Sequence, residues 1–424
     1  MALVACLVMA GEATAVAQQT EIARYKHLGV AACASSVCHG KIAPQPGRNV
    51  GLNEYRTWSQ EDVHARAYLA LEAPLSKRIA ANLGLGNPTA EKTCLDCHAD
   101  NVPKDRRGPK FQIRDGVGCE ACHGGAEKWV ESHAETSRTH RENVAQGMYP
   151  SALPLPRAQL CLSCHLGAKD KFATHLIMAA GHPRLSFELE AYTTNQPAHF
   201  TVDADYKRRK GTIDGMNLWL TGQIESARAV LTLQQSDVFR PSGMFPELAL
   251  YDCHSCHHPM DPQRATKQRA GVGMKLGGLR LQTQNLVVLE AALEAVEPNA
   301  RDQLTSLSSA LVKAGQSDVA SVGAAAGALL EWLKGREALS RRQFSRAEVL
   351  DVRKMLLRYA ATDKASDYAV AEQIVLGVES LSYSLGDRSA KKASLDKLYA
   401  AVKSGTSFNP SQFAAIAKTA LDRF

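Results

Sequence analysis

Apolar positions recur at three- and four-residue intervals over most of the second half of the chain. The clearest stretches are Leu276 to Val296, Val319 to Leu333, Ala347 to Tyr359 and Tyr368 to Leu385. That period lines one face of a helix with apolar side chains. Helix starts are signalled as well. Ser345-Arg-Ala-Glu348 is a capping box, and Asn409-Pro410 is an N-cap followed by a first-turn proline. The breaks are short, which favours antiparallel neighbours. An all-α helical bundle is expected. In the first half the patterns are shorter. Ser59-Gln-Glu-Asp62 has capping-box form and predicts a helix carrying His64, Ala67, Leu69 and Leu71. A second helix is expected from Pro74 to about Leu83. Trp129 to about Ser137 reads as helical and carries His133, with His140 two turns on. Phe172 to Ala180 reads as a short helix ended by Gly181, before His182 and Pro183. Residues 185–240 hold two helical patterns around the basic run Lys207-Arg-Arg-Lys210, expected to be a solvated turn. The fold class is therefore mainly α, with little regular sheet.

Five stretches ending in Cys-His interrupt this pattern. They are Cys33-Ala-Ser-Ser-Val-Cys38-His39, Cys94-Leu-Asp-Cys97-His98, Cys119-Glu-Ala-Cys122-His123, Cys161-Leu-Ser-Cys164-His165 and Cys253-His-Ser-Cys256-His257. C-x-x-C-H is the attachment signature of c-type haem. Two thiols bond the porphyrin edge, and the histidine reaches the iron on one face. The first stretch has four intervening residues, and a longer loop can still span the same edge. Zinc sites use C-x-x-C pairs two at a time and give no reason for a histidine after each pair. Redox dithiols occur singly, and iron–sulfur clusters need closely grouped sets of four cysteines. The five stretches absorb ten of the 11 cysteines. Five covalently bound haem c groups are expected.

Composition changes the picture little. Aromatic content is 6%, so macrocycles are expected to fill part of the core. The formal charge of +7 omits the haem propionates, which would bring the holoprotein near neutrality. No nucleic-acid motif is present. Hydrophobic content of 45% and a mean hydropathy of −0.22 fit a soluble protein. Met1 to Ala10 is an apolar run and Ala15-Val16-Ala17 has the form of a cleavage site, although no Lys or Arg precedes the run. Cys6 reads as part of that segment. We expect a signal peptide at 1–17, a pentahaem domain at 18–262 and a haem-free helical bundle at 263–424. The location is then periplasmic or otherwise exported. No later run is long enough to span a bilayer.

Fourteen histidines include the five motif residues. The other nine are His27, His64, His133, His140, His175, His182, His199, His254 and His258, and none follows His258. This crowding points to iron ligation, since haem iron takes His or Met as its second axial ligand. The first candidates are His64, His133, His175 and His182, with His27 and His258 next. His254 lies inside its motif and is expected to face solvent or donate a hydrogen bond.

The chain resembles the cytochrome c-554 family of multihaem cytochromes. The resemblance rests on Thr57-Trp58-Ser59 with His64-Ala65-Arg66-Ala67, on Cys94-Leu-Asp-Cys97-His98, on Gly116-Val-Gly-Cys119-Glu-Ala-Cys122-His123-Gly124 and on Ala180-Gly181-His182-Pro183. It covers roughly residues 25–260. It implies closely stacked, mostly bis-histidine haems that pass electrons between exported redox partners. Other redox proteins or a membrane quinol-oxidising complex are the expected partners. The chain departs from the family in its long first motif and in having five motifs where the namesake has four. An electron relay is the leading expectation. A reductase or oxidase of a small nitrogen or sulfur species at one open haem is the alternative. The C-x-x-C-K motif of pentahaem nitrite reductases does not occur. A scaffold or filament subunit is the third reading.

Overall fold

The computed structural model describes residues 21–44, 50–212, 214–240, 245–257 and 278–424. The expected signal segment at 1–17, with Cys6, lies outside the described residues, as does His258. Among the described residues there are helices and isolated backbone bridges, and no strand. The chain divides into two compact units, residues 1–185 with 193–213, and residues 186–192 with 214–424.

The first unit is built from short helices, several of them stopped early by a glycine or by the cap of the next element. α1 (Glu54–Glu61) begins before Ser59, so Ser59 lies inside a helix and does not open one. Asp62 is the cap instead. Its carboxylate accepts from the His64 backbone N–H at 3.0 Å and starts a 3-10 turn at Val63–Arg66. α2 (Ala67–Glu72) and α3 (Pro74–Asn82) follow, the latter with proline in its first turn as expected. α4 (Lys92–His98) and α5 (Cys119–His123) come next. The helix expected from Trp129 is replaced by 3-10 turns at Ala126–Lys128 and Ser132–Ala134. The His133 ring donates to the Val130 carbonyl at 2.6 Å, an acceptor that a continuing helix would need. α6 (His140–Ala145) opens on a Thr139/Glu142 capping box, and α7 (Pro154–His165) runs into the fourth motif. α8 (His175–Ala179) is shorter than expected, because Thr174 caps it by accepting from the Ile177 N–H. After α9 (Leu189–Asn195), whose residues up to Tyr192 belong to the second unit, the basic run forms α10 (Ala204–Lys210) and is not a turn. Its cations gather at the helix C-terminus, where the macrodipole favours them. Tyr68, Leu71, Leu95 and Ala99 make a small core, with Cys94 and Ile113 against it.

The second unit is the helical bundle, and its centre is α11 (Gly215–Gln235). Trp219, Leu220 and Leu231 on α11 are buried. Gly222 lets Leu189 approach, since a Cβ there would lie 2.6 Å from the Leu189 Cβ. α12 (Gln284–Val296), α13 (Pro298–Ala314), α14 (Val319–Lys334), α15 (Arg346–Ala360), α16 (Tyr368–Ser384), α17 (Arg388–Ala401) and α18 (Pro410–Leu421) complete it. α11 packs against α12, α14 and α16, and α15 packs against α12, α16 and α18. The Ser345/Glu348 capping box and the Asn409 cap are both formed. Arg353 is fully buried. It binds Asp387 through both terminal nitrogens, at 2.6 and 3.0 Å, and the Phe424 carbonyl at 3.1 Å. No described helix is long and apolar enough to cross a membrane.

The chain passes from the first unit to the second for the last time at residues 213 and 214, ahead of the fifth Cys-His stretch. That stretch is tied into the bundle unit by backbone hydrogen bonds. Asp252 N–H donates to the Arg280 carbonyl at 2.7 Å and Gln282 N–H to the Leu250 carbonyl at 2.9 Å. These bonds hold residues 280–282 extended, so the helix expected from Leu276 begins only at Gln284.

Candidate haem centres

The C-x-x-C-H spacing is one helical turn, so both thiols and the imidazole fall on neighbouring faces. The second, third and fourth motifs are built this way, on α4, on α5 and at the end of α7. Each of these helices ends at its histidine. The first motif is not helical, yet it closes on the same bond. His39 N–H donates to the Cys33 carbonyl at 3.1 Å, as His257 N–H donates to the Cys253 carbonyl at 2.8 Å. The two additional residues are absorbed in a tight turn. Gly40 makes the turn possible, since a Cβ there would lie 1.9 Å from the Ala34 carbonyl oxygen. All ten motif cysteines are free of disulfides.

Four motif histidines face a second histidine from elsewhere in the chain. His39 faces His133 with ring centres 6.0 Å apart and planes 13° from parallel. His64 faces His165 at 6.1 Å and 90°. His98 faces His182 at 6.4 Å and 84°. His123 faces His199 at 6.3 Å and 88°. Metal–imidazole bonds are about 2 Å, and a ring centre lies about 1 Å beyond its nitrogen, so rings on opposite sides of one metal sit roughly 6 Å apart. All four pairs have that spacing. Among the described residues, no group of three or more His, Cys, Asp and Glu could hold a metal alone. Two opposed imidazoles need a macrocycle to complete the coordination, and each pair has two thiols of its motif beside it to carry one. The residues therefore fit covalent haem.

His64, His133 and His182 thus lie opposite motif histidines. His199 does too, although it was not among the candidates. It sits in irregular chain after Pro197, with no periodicity to mark it, and only the histidine crowding pointed there. His175 is the first residue of α8. His27 is a correction. Its ring is wholly buried, with Nδ1 2.7 Å from Asp100 Oδ2 and Nε2 3.0 Å from the Ile22 carbonyl. Both partners accept, so both nitrogens carry hydrogen and neither has a lone pair for iron. Burial opposes the charge, but the Asp100 hydrogen bond and charge outweigh it and hold the ring above its ordinary pKa. His123 behaves oppositely. Burial, then His199 and Lys210, push it down to about 3, which keeps it neutral and able to ligate. His140 is lowered to about 4 by burial and by Lys210 and Arg209. His254, expected to face solvent or donate a hydrogen bond, packs its ring against Phe408 at 5.7 Å and Tyr368 at 6.5 Å.

Neighbouring segments fix these rings. Gly116 has a φ of 71°, and a Cβ there would lie 2.8 Å from the His64 carbonyl. Val117 N–H donates to that carbonyl at 3.1 Å, and the Val117 carbonyl accepts from Trp58 Nε1 at 3.1 Å. The Gly-Val-Gly run ahead of the third motif therefore holds the His64 segment. Within that motif Glu120 is buried and accepts from the N–H groups of Leu28, Gly29 and Ala126 at 2.7–2.8 Å.

Thiols of different motifs also meet. Cys33 is within hydrogen-bond reach of Cys119, and Cys97 of Cys164. Cys122 lies near enough to feel Cys161 and Cys164 electrostatically. The motifs therefore run first, third, fourth, second in space.

Thiol pairs backed by opposed imidazoles define a c-type cytochrome. Residues 32–124 match the family model described as cytochrome c554 and c-prime, and the chain resembles that family. The match takes in the first three motifs and His64, less than a quarter of the chain. No curated protein and no solved structure matches.

Proposed function

We propose that this chain is an exported pentahaem cytochrome that relays electrons between redox partners. The carrying observation is the set of four histidine pairs at 6.0–6.4 Å, each beside the two cysteines of one motif. Cys33, Cys38, Cys94, Cys97, Cys119, Cys122, Cys161 and Cys164 hold four haems by thioether bonds. His39 with His133, His98 with His182, His123 with His199 and His165 with His64 would supply the imidazoles that hold their iron. Cys253, Cys256 and His257 would hold the fifth. A haem held between two imidazoles exchanges single electrons and has no position left for a substrate. The protein residues do the rest. They hold six of the eight paired imidazoles by hydrogen bonds and bring motifs within thiol-contact distance of one another. Other redox proteins or a membrane quinol-oxidising complex are the proposed partners.

Mass spectrometry of the purified holoprotein tests this. Five haem additions are expected on a chain beginning near Gln18. Four additions, with Cys33 and Cys38 open to alkylation, would remove the first centre. An oxidised protein whose haems are mainly high-spin would replace the relay by a ligand-binding enzyme.

A further inference from the structure

The outer nitrogens of the paired histidines do not all have the same kind of partner. His98 Nδ1 lies 3.0 Å from the Ala67 carbonyl, His133 Nδ1 2.6 Å from that of Val130, and His182 Nδ1 2.8 Å from that of Pro183. His199 is hydrogen-bonded to the backbone at Pro197. Two rings take a carboxylate instead. His39 Nδ1 lies 2.9 Å from Glu54 Oε2, and His64 Nδ1 lies 2.8 Å from Asp62 Oδ1. Both carboxylates are held from other directions. Glu54 Oε1 accepts from the Leu52 N–H at 3.0 Å. Asp62 accepts from the His64 N–H at 3.0 Å and from Gln196 Nε2 at 2.9 Å, and is 3% exposed.

A carbonyl presents a partial charge to the ring and a carboxylate a full one. In a part-buried site that difference is weakly screened. A full negative charge on the Nδ1 proton raises the basicity of Nε2, the nitrogen turned toward the metal. A more basic imidazole stabilises ferric over ferrous iron. We propose that Glu54 and Asp62 lower the reduction potentials of the first and fourth haems, acting through His39 and His64. This rests on the ligand pairing proposed above. The step affected is a one-electron exchange, in which ferric iron gains one electron from a redox partner and no bond or proton moves. In the spatial order of the motifs the two carboxylates fall on alternate centres. Glu54 and Asp62 are positioning residues, since neither touches the iron.

The test is a redox titration of the intact holoprotein followed by EPR. The near-parallel rings of His39 and His133 give a rhombic low-spin signal, whereas near-perpendicular rings give highly axial ones, so the first haem is read separately. Glu54→Gln and Asp62→Asn keep an oxygen to accept the Nδ1 proton and lose the charge, together with the bond that the second oxygen accepts from Leu52 or Gln196. Each is expected to shift the ferric/ferrous equilibrium of one haem at least tenfold toward ferrous, about 59 mV for one electron. Glu54→Gln moves the rhombic signal and Asp62→Asn one axial signal. Retained low-spin signals with unmoved midpoints overturn the inference and leave the pairing standing. A wild type without low-spin signals overturns the pairing and the inference with it. Where one variant does not load haem, the other decides. Where neither does, the Nδ1 protons of His39 and His64 in the loaded wild type are compared with that of His98 by paramagnetic NMR. Displaced resonances support the carboxylate effect, and coincident ones overturn it.

Discussion

An imidazole can serve iron only with a nitrogen lone pair to spare, and that requirement separates histidines that look alike in sequence. His27 and His182 were both ligand candidates. His27 donates from both nitrogens, to Asp100 and to Ile22. His182 commits only Nδ1, to the Pro183 carbonyl, and faces His98 with the rest of its ring. The two substitutions should therefore read out differently. His182→Ala should convert one haem to high spin and create a carbon-monoxide site. His27→Ala should leave every haem signal in place and destabilise the fold by about 3–5 kcal/mol, the cost of breaking a buried ion pair. Carbon-monoxide difference spectra and thermal melts of the two variants check this. A high-spin haem in His27→Ala would return His27 to the ligand set. The motif histidines were legible because the covalent spacing that marks them is local. Their opposites were less so. His199 has no local mark, and its role depends on a meeting with His123 across many tens of residues.

At the scale of elements, the second half was the more readable. Capping boxes and apolar periodicity locate α14, α15 and α16 to within a residue or so, because packing on one face drives both pattern and helix. The first half misled where side chains take backbone groups for themselves. Asp62 moved a helix boundary, and the His133 ring replaced a helix with turns. The long first motif was legible as a variant, but not the reason it works. That reason is the turn closed at Gly40, and it carries a prediction. Gly40→Ala would press a methyl into the Ala34 carbonyl, open the turn and separate Cys38 and His39 from Cys33. The variant should carry one haem fewer by mass, with the missing one at Cys33 and Cys38. Full loading would mean that the loop closes in another way.

For the whole molecule, the bundle's reach was the least legible feature. Cysteine content set the expected boundary at residue 262, whereas the packing places α11 at the centre of the helices that follow. A fragment of residues 265–424 lacks Trp219, Leu220 and Leu231 and should melt without cooperativity. A fragment of residues 186–424 should be helical and melt in one transition, by circular dichroism. A cooperative melt of the shorter fragment would mean that α11 is an addition and not the centre.

The four histidine pairs also have a topology. His39 to His133, His64 to His165, His98 to His182 and His123 to His199 each open before any of the others has closed. Iron bridging these pairs would act as four interleaved cross-links, with no loop nested inside another. Closing a loop this long costs entropy that nothing local repays. The first loop cannot be sealed until two motif segments and the His64 segment have been threaded past it. Haem installation must then come before compaction, on a chain kept open until at least His133 has been made. A late or missing haem would leave an open ring among closed ones, with its neighbours strained and the whole unit exposed to proteolysis.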